Sequence, residues 1–436
     1  MQKETQRSVA FVTLGCAKNE VDTTHMRARV AEAGYVLAND PADADAIVVN
    51  TCSFIQAATE ESLEAIFDAA DLPNVSSGQA KLVVAGCMPA RYGDDLASEL
   101  TEAGAFVPCS REDDIVSVLA EVIGTPTKIN GVSSDFPTDE VTRGPVSAYV
   151  KISDGCDRFC SYCTIPYIRG RYHSFSLDEI CCEVDDLVAQ GAREIVLIAQ
   201  DTGRWGTDFD EPSTLAYLVS TLAERHGDTW FRVMYIQPEG LTDELLDAVA
   251  THANVCNYFD IPFQHVDAGI LKAMNRTGSG AEFYDLIDRV RTCIPDATLR
   301  TTFIAGFPGE TDDQFEDLCA FVEEADLDYV GVFSYSREEG TRAYQLENQV
   351  DDDEKTDRAQ RLRDLADAVC TPRIAARIGC TMDILVEGHE EDGQLFGRAM
   401  CQAPEVDGVT YLDQGKVGEV RSVVIADTLL YEMEGA

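Results

Sequence analysis

Three closely spaced cysteines are the residues of this sequence with the clearest capacity for chemistry. Cys156, Cys160 and Cys163 form the pattern Cys-x3-Cys-x2-Cys, just after a short apolar run. Iron–sulfur clusters take cysteine thiolates as soft ligands, usually one for each iron. Because no fourth cysteine lies close by, this set predicts a four-iron cluster with one iron left open to another ligand.

The open iron suggests a particular reaction. The amino and carboxylate groups of S-adenosylmethionine (SAM) can fill that position, which places the sulfonium where an electron from the cluster can cleave it. The 5′-deoxyadenosyl radical so produced can take hydrogen from an unactivated carbon. A zinc site is the alternative, but structural zinc sites usually have four ligands and Cys-x2-Cys pairs.

A second set of cysteines is spread over the first 90 residues. Cys16, Cys52 and Cys87 each follow a short apolar run rich in β-branched residues. One cysteine in such a place is more often a small buried residue than a ligand. Three at equivalent strand ends favour a second iron–sulfur site, again with one open iron. The remaining nine cysteines lack this pattern and are predicted to be structural: Cys109, Cys181, Cys182, Cys256, Cys293, Cys319, Cys370, Cys380 and Cys401.

The elements around the second set predict how it is assembled. Helical patterns alternate with the apolar runs in residues 1–128, which is typical of a parallel α/β sheet. Ligands of such sheets collect beyond the carboxyl ends of the strands. We therefore expect Cys16, Cys52 and Cys87 to meet at one edge. A polar, turn-rich stretch at 129–144 is predicted to be a linker.

Two further domains are predicted after the linker. Residues 145–375 contain about six strand-and-helix units, which suit a complete or partial parallel barrel with its active site at the carboxyl ends of the strands. Residues 376–436 change to a period of two, with five or so short strands that predict a small antiparallel, OB-like barrel. The expected fold class is therefore multidomain α/β with a β-barrel at the end.

Composition limits the partners. The 436 residues carry a formal net charge of −44 and no apolar run near the roughly 18 residues that a membrane span needs. The first residues lack the features of a signal peptide, so we expect a cytoplasmic protein without a membrane partner. So acidic a surface repels phosphate backbones and favours basic partners. The alternative explanation of the negative charge is that the proteins of the whole proteome are acidic.

The motifs resemble the methylthiotransferase family of radical SAM enzymes over essentially the whole chain. Besides the two cysteine sets, the resemblance rests on Asp260-Ile-Pro-Phe-Gln-His265, Leu271-Lys-Ala-Met-Asn-Arg276 and Thr302-Phe-Ile-Ala-Gly-Phe-Pro-Gly-Glu310. It implies an N-terminal flavodoxin-like domain with an auxiliary 4Fe-4S cluster, a central radical SAM barrel and a C-terminal TRAM domain.

The resemblance also implies the site. Cys156, Cys160 and Cys163 would hold the 4Fe-4S cluster that cleaves SAM, and Cys16, Cys52 and Cys87 would hold the auxiliary cluster that delivers sulfur. Tyr162, Gly306, Gly309 and Glu310 would line the SAM pocket. One SAM would methylate sulfur at the auxiliary cluster, and a second would give the radical.

Within the family, the sequence is similar to the RimO type. Ile198-Ala-Gln-Asp-Thr202 and Phe333-Ser-Tyr-Ser-Arg-Glu-Glu-Gly-Thr341 carry this likeness. It implies methylthiolation at the β-carbon of an aspartate in small-subunit ribosomal protein S-twelve, with a flavodoxin or ferredoxin as low-potential electron donor and a sulfide or sulfur donor. Arg169 and Arg300 are candidates to bind the target aspartate.

Two alternatives remain open: a tRNA adenosine methylthiotransferase and a non-enzymatic iron–sulfur carrier. In residues 376–436, four Lys and Arg face twelve Asp and Glu, a net charge of 4 − 12 = −8. An RNA-binding barrel needs a basic groove for the backbone. We therefore expect a basic protein as partner and no direct contact with nucleic acid.

Overall fold

The computed structural model describes residues 7–126 and 144–436. The predicted linker, 129–144, lies outside these ranges except for Gly144. The chain forms two compact units: the N-terminal residues with Gly155–Tyr172 and Glu338–Thr341 make one, and the rest of the chain makes the other. The predicted domain limits at residues 128, 145 and 376 stay predictions.

The N-terminal residues form a five-stranded parallel sheet in the order β2-β1-β3-β4-β5. This is the flavodoxin-like order, so the predicted sheet is confirmed. Its elements are β1 (Ser8–Thr13), α1 (Ala17–Glu32), β2 (Val36–Leu37), β3 (Ala46–Thr51), α2 (Gln56–Asp71), α3 (Pro73–Ser76), β4 (Lys81–Gly86), α4 (Cys87–Glu99), β5 (Ala105–Pro108) and α5 (Ile115–Ile123).

The two central strands of this sheet explain its stability. β3 is buried at every position and β4 at every position but its first, as expected for parallel strands covered on both faces. Val48 packs on one side with Met26 of α1 and Leu119 of α5, whereas Val49 packs on the other with Ile66 of α2. The carboxyl ends of β3 and β4 are therefore held in fixed positions along one edge of the sheet.

The central part of the chain contributes six parallel strands. They form two sheets, β6-β9-β10 and β11-β12-β13, which a parallel bridge between Phe231 and Val255 connects. The strands are β6 (Ser147–Lys151), β9 (Glu194–Ile198), β10 (Trp230–Val233), β11 (Tyr258–Asp260), β12 (Thr298–Ala305) and β13 (Tyr329–Ser334), and a small hairpin pairs β7 (Ser153–Asp154) with β8 (His173–Ser174). The predicted partial barrel is confirmed, and its six strands agree with the number of strand-and-helix units expected from the sequence.

Helices follow most of these strands. They are α6 (Ile165–Ile168), α7 (Leu177–Gln190), α8 (Leu215–Arg225), α9 (Asp243–Thr251), α10 (Ala268–Ala273), α11 (Gly280–Cys293), α12 (Asp312–Glu324) and α13 (Asp352–Ala375). Local sequence fixes their starts: Ser176 with Glu179 and Thr311 with Gln314 form capping boxes that satisfy the first amides of α7 and α12. In the part of the chain that the structure describes, no helix is both long and apolar enough to cross a membrane.

The last domain is a closed barrel in the order β14-β15-β16-β18-β17. Its strands are β14 (Thr381–His389), β15 (Leu395–Ala399), β16 (Thr410–Leu412), β17 (Val420–Leu429) and β18 (Glu432–Gly435). The prediction of five short strands is confirmed, with one difference: β16 and β18 run parallel. An odd number of strands cannot alternate in direction around a closed ring, so one parallel pair is required.

A buried ionic network joins this barrel to the central strands. Glu194, at the start of β9, pairs with Arg232 at 2.8 Å and with Arg398 of β15. The Tyr258 hydroxyl at the start of β11 donates a hydrogen bond to Asp407. All these contacts lie at the amino ends of the central strands, whereas the predicted active-site residues follow their carboxyl ends.

Candidate active site

Cys16, Cys52 and Cys87 lie at one edge of the N-terminal sheet. Cys52 and Cys87 directly follow β3 and β4, and Cys16 follows β1 after two residues. Since β1, β3 and β4 are neighbours in the sheet, the fold places the three cysteines at the carboxyl ends of three consecutive strands. This is the arrangement that the sequence predicts.

Two glycines allow the cysteine-bearing loops to approach one another. Gly15 has φ +93°, and a Cβ there would lie 2.5 Å from Cβ and 3.0 Å from Sγ of Cys52. Gly86 has φ +94°, and its Cβ would lie 2.2 Å from Oδ1 of Asn50 and 2.6 Å from the carbonyl oxygen of Thr51. Only glycine fits both the backbone and the space. The backbone preceding Cys16 and Cys87 is thus packed against the end of β3.

Asn19 connects all three loops, and sequence reasoning did not single it out. Its Nδ2 donates to the carbonyl oxygens of Leu14 and Thr51 at 3.0 and 2.9 Å, and its Oδ1 lies 3.6 Å from Sγ of Cys87. The side chain is fully buried. Its only sequence signal is its position three residues after Cys16, in the first turn of α1.

The thiols of this set have unequal acidity. Burial raises the pKa of Cys52 to about 11, despite a hydrogen bond from the backbone of Phe54. A hydrogen bond with Cys109 lowers the pKa of Cys87 to about 7, against the effect of burial and with help from the guanidinium of Arg169. Cys109 directly follows β5, so a cysteine also follows a fourth strand of the sheet, although the sequence predicts a structural role for it.

Cys156, Cys160 and Cys163 lie on the segment Gly155–Tyr172, which packs with the N-terminal sheet. Gly155 closes the base of this segment: at φ +72°, its Cβ would lie 2.2 Å from the carbonyl oxygen of Arg171. The Cys156 amide donates to Gly170 at 3.1 Å, and the Cys163 amide donates to Cys160 at 3.1 Å. The three cysteines are partly exposed, and Tyr162 lies among them, also partly exposed.

Three contacts attach this segment to the sheet. The Thr164 hydroxyl donates to the carbonyl oxygen of Phe54 at 3.0 Å, and the Cys109 thiol donates to that of Ile168 at 3.5 Å. Arg169 donates to Asn19 and Asp22. Both cysteine sets therefore belong to the same compact unit.

The short segment Glu338–Thr341 also belongs to this unit. The carboxylate of Glu338 accepts a hydrogen bond from the Gln56 amide at 2.7 Å, at the start of α2, and pairs with Arg91 at 2.9 Å. A carboxylate at this position satisfies an amide that the helix leaves unpaired and interacts favourably with the helix dipole. Arg91 in turn donates to the carbonyl oxygen of Ser53, next to Cys52.

The thiols are not arranged as a finished metal site. Within residues 7–126 and 144–436, no group of three or more His, Cys, Asp or Glu side chains is placed to hold a metal ion. The donor chemistry fits iron–sulfur clusters nonetheless, since each set offers three thiols, the soft ligands that such clusters take. The assignment of both sets as cluster ligands stays a prediction.

The other predicted cofactor residues lie in the central unit. Glu310 is buried, and its carboxylate accepts the Gly306 amide at 3.0 and 3.1 Å, pairs with Arg358 at 2.8 Å and lies 3.2 Å from Nε2 of His265. Burial alone would raise the pKa of Glu310, but His265 and Arg358 outweigh it and the pKa is lowered. Its carboxylate therefore holds the turn that carries Gly306 and Gly309.

Gly306 approaches a side chain of this chain closely. At φ +75°, its Cβ would lie 2.3 Å from Cγ of Lys355 on α13, so Lys355 fills the space beside this glycine. Gly309 has φ +86° and open space around the position of a Cβ. The role of both glycines in binding SAM stays a prediction.

Polar atoms that sequence reasoning missed collect near the carboxyl ends of the central strands. Among the described residues, both amide atoms of Gln200, Oε1 of Gln237 and Oγ of Ser153 are buried and make no hydrogen bond. They follow β9, β10 and β6, which are neighbours in one sheet. Burying a polar atom without a partner costs about 1 to 3 kcal/mol. Atoms of this kind are suited to a polar ligand such as SAM.

The two arginines suggested for the target aspartate have other partners. Arg169 pairs with Asp22 at 2.7 Å, and both side chains are buried. Arg300 pairs with Asp260 at 2.9 Å and with Asp407 at 3.4 Å. Each guanidinium is thus already balanced by a buried carboxylate of its own unit.

Models of three known families match the chain. The Uncharacterized protein family UPF0004 matches residues 8–107, the Radical SAM superfamily matches residues 150–322, and the TRAM domain matches residues 378–436. They occur in the order predicted from the sequence.

Solved structures share the fold. The chain resembles the radical S-adenosylmethionine methyltransferase TsrM from Kitasatospora setae, with a TM-score of 0.53 and 14% identity, over 76% of this chain and 72% of that one. It also resembles the cobalamin-dependent S-adenosylmethionine radical enzyme OxsB, with a TM-score of 0.51 and 14% identity, over 81% and 56% of the two chains. At this identity the likeness concerns the fold alone.

Curated relatives match nearly the whole chain. The ribosomal protein uS12 methylthiotransferase RimO of Trichlorobacter lovleyi is 40% identical over 99% of this chain and 98% of its own length. Those of Geobacter sulfurreducens and Clostridioides difficile are 40% and 38% identical, over 99% and 98% of this chain and 98% of their own lengths. With this identity and coverage, added to the predicted domain order and two cysteine sets, the chain belongs to the RimO family of radical SAM methylthiotransferases.

Proposed function

We propose that this protein adds a methylthio group to the β-carbon of an aspartate in ribosomal protein uS12, the S-twelve protein of the small subunit. The observation that supports this most is the placement of two sets of three cysteines in one compact unit. A reaction that both activates a carbon and delivers sulfur to it needs two such centres near each other. The membership of the RimO family agrees with this substrate.

Each cysteine set has a separate role in the proposal. When bound at Cys156, Cys160 and Cys163, a 4Fe-4S cluster supplies the electron that cleaves SAM into a radical able to take hydrogen from the target carbon. Cys16, Cys52 and Cys87 would hold the auxiliary 4Fe-4S cluster as the sulfur site. Asn19 fixes the loops that carry this second set.

The central strands would bind SAM as co-substrate. Glu310 holds the turn with Gly306 and Gly309 through hydrogen bonds to the backbone. Gln200 and Gln237 offer buried amide atoms to polar groups of the ligand. Tyr162 would pack near the adenine. No residue of the chain has to act as a base when hydrogen is removed by a radical.

Charge favours a basic protein over RNA as the substrate. Of the four basic residues in 376–436, Arg398 pairs with Glu194 and Glu387, and Arg377 contacts Asp328 and Tyr329. Two of the four are therefore engaged by this chain's own acidic or aromatic side chains. The barrel offers little positive charge to a phosphate backbone, whose binding depends on Lys and Arg contacts.

The setting of the reaction follows from the substrate. Action on a ribosomal protein implies a cytoplasmic enzyme. The chemistry also requires a low-potential electron donor, such as a flavodoxin or ferredoxin, and a source of sulfide.

Mass spectrometry of uS12 tests the proposal. Purified uS12 is incubated anaerobically with the reconstituted enzyme, SAM, sulfide and a low-potential reductant, and bulk tRNA is assayed in parallel. We expect a methylthio mass increase on one aspartate, which is lost in Cys16→Ala and in Cys156→Ala. Cys182→Ala, an exposed cysteine of α7, serves as the matched control and should leave the product unchanged.

Two results would contradict the proposal. Modified tRNA adenosine with unmodified uS12 would move the substrate to RNA. Release of 5′-deoxyadenosine without either product would leave the chain as a radical SAM enzyme of another substrate.

A further inference from the structure

Arg169 is a buried cation that links the segment carrying Cys156, Cys160 and Cys163 to Asn19 and Asp22 of α1. It lies six residues after Cys163, and its Nη2 donates to Oδ1 of Asn19 at 2.8 Å and to Oδ2 of Asp22 at 2.7 Å. The side chains of Arg169 and Asp22 are 2% and 1% exposed. Burying an ion pair is costly and often adds little stability, so its presence calls for another explanation.

Asn19 links this guanidinium to the loops that carry Cys16, Cys52 and Cys87. The same Oδ1 that accepts from Arg169 lies 3.6 Å from Sγ of Cys87, while Nδ2 holds the carbonyl oxygens of Leu14 and Thr51. A hydrogen bond from Arg169 fixes the orientation of this amide. The orientation in turn sets the position of the loops that carry Cys16 and Cys52.

The surroundings of Asn19 add to this rigidity. Asn50, at the end of β3, donates to the Asn19 carbonyl oxygen and to Oγ1 of Thr23, both at 2.9 Å. The Cys109 thiol holds the Ile168 carbonyl next to Arg169. Arg169 is therefore held from both sides at the carboxyl edge of the sheet.

We propose that Arg169 is a positioning residue of the auxiliary centre, which orients Asn19 among the three cysteine loops and whose charge, balanced by Asp22, sets how readily that centre is reduced. The inference rests on the proposed function, because it requires Cys16, Cys52 and Cys87 to hold an iron–sulfur cluster.

Electrostatics gives the sign of the effect. Reduction adds negative charge to a cluster, so a nearby cation favours the reduced form and a nearby anion disfavours it, most strongly where water is excluded. The wild-type pair is neutral. Arg169→Met leaves a net negative site, Asp22→Asn leaves a net positive one, and the double variant is neutral again.

The expected order of midpoint potentials is therefore Arg169→Met lowest, wild type and the double variant in between, and Asp22→Asn highest. A merely structural role predicts no such order, and no recovery in the double variant. Arg7→Met is the matched control: Arg7 pairs with Asp45 at 3.5 Å at the amino ends of the strands, and its loss should leave the potential unchanged.

The experiment uses the full chain with Cys156, Cys160 and Cys163 all replaced by Ala, so that only the auxiliary set can bind a cluster. After anaerobic reconstitution, iron and sulfide are counted, and the midpoint potential is measured by redox titration followed by electron paramagnetic resonance. The variants are introduced into this parent.

A shift of Asp22→Asn to higher potential, with partial or full return in the double variant, supports the proposal even if Arg169→Met loads poorly. Equal potentials, or shifts of Arg169→Met and Asp22→Asn in the same direction, overturn it while the proposed function stands. A parent that binds no iron overturns both.

Discussion

The hydroxyl of Thr164 donates a hydrogen bond to the carbonyl oxygen of Phe54 over 3.0 Å. Thr164 follows Cys163 directly, and Phe54 lies two residues after Cys52. One hydrogen bond thus joins two stretches of chain that are 110 residues apart and that end next to different cysteine sets.

Replacing Thr164 with Val keeps the shape of the side chain and removes this bond. We expect a loss of about 1 kcal/mol in the free energy of unfolding, and a several-fold slower methylthiolation of uS12 because the two sets are held less firmly. Iron content should not change. Thr221→Val, which removes a hydroxyl that donates to the carbonyl oxygen of Tyr217 on the exposed side of α8, is the control. An unchanged rate in Thr164→Val would refute the prediction.

Gly86→Ala should prevent Cys16, Cys52 and Cys87 from coming together to bind iron. Its Cβ would overlap Asn50 and Thr51, and its φ of +94° is unfavourable for alanine. Gly78 has a similar φ of +78° but nothing within 4 Å. Gly78→Ala should therefore cost only about 1 to 2 kcal/mol and load iron normally. The iron and sulfide contents of the two purified variants test this prediction. Equal contents in Gly86→Ala and Gly78→Ala would show that the close contact at Gly86 is unimportant for cluster binding.

Glu194 should make the central unit sensitive to acid. Burial alone would raise the pKa of Glu194, but Arg232 and Arg398 outweigh it and lower the pKa from 4.5 to about 2. A carboxylate with a lowered pKa stabilises the fold above its unfolded pKa, and this contribution disappears as the pH falls towards 2. The difference between the unfolded and folded pKa of Glu194 corresponds to about 3 kcal/mol of the free energy of unfolding at neutral pH.

Chemical denaturation between pH 7 and pH 3 checks this. Glu194→Gln should lower the free energy of unfolding by about 3 to 5 kcal/mol at pH 7, because it leaves buried arginines without their partner. The difference in free energy of unfolding between Glu194→Gln and the wild type should become smaller as the pH falls. Asp185→Asn breaks the exposed pair with Arg225 and should have little effect. If the loss of free energy of unfolding caused by Glu194→Gln is the same at every pH, the predicted acid sensitivity is contradicted.

Glu310→Gln should weaken SAM binding by loosening the turn that carries Gly306. The variant loses the charge that pairs with Arg358 and His265, so the turn at Gly306 is held less firmly. We expect at least a tenfold higher Kd for SAM, measured anaerobically by equilibrium dialysis of reconstituted protein. Glu316→Gln, in an exposed pair with Arg361 on neighbouring helices, should bind SAM as the wild type does.

The arrangement of Cys16, Cys52 and Cys87 could be predicted from sequence because it depends on backbone topology alone. Strands that alternate with helices run parallel, and residues after parallel strands share an edge. The six central strands were predictable for a similar reason, since each is a short apolar run between helical patterns. The parallel pairing of β16 with β18 was not, because it follows from closure of the ring.

The contacts made by Asn19, Arg169 and Glu338 could not be predicted in the same way, and the role that the sequence suggests for Arg169, binding the target aspartate, differs from the one its contacts indicate. Each acts through a side-chain hydrogen bond to a residue 32 to 282 positions away, and such contacts leave no periodic pattern in the sequence. Glu310 shows a related limit. Its motif indicated the SAM pocket, but only the three-dimensional contacts reveal that its carboxylate is used to hold a turn.

The parallel pair in the C-terminal barrel affects how that domain can meet other molecules. With β18 lying between β16 and β17, each of the five strands has a neighbour on both sides, so an extended peptide finds no open edge to extend by strand addition. Recognition there has to use side chains and loops. A chain cut short after residue 431 would lose β18 and expose the edges of β16 and β17, which is the kind of surface from which misfolded proteins aggregate.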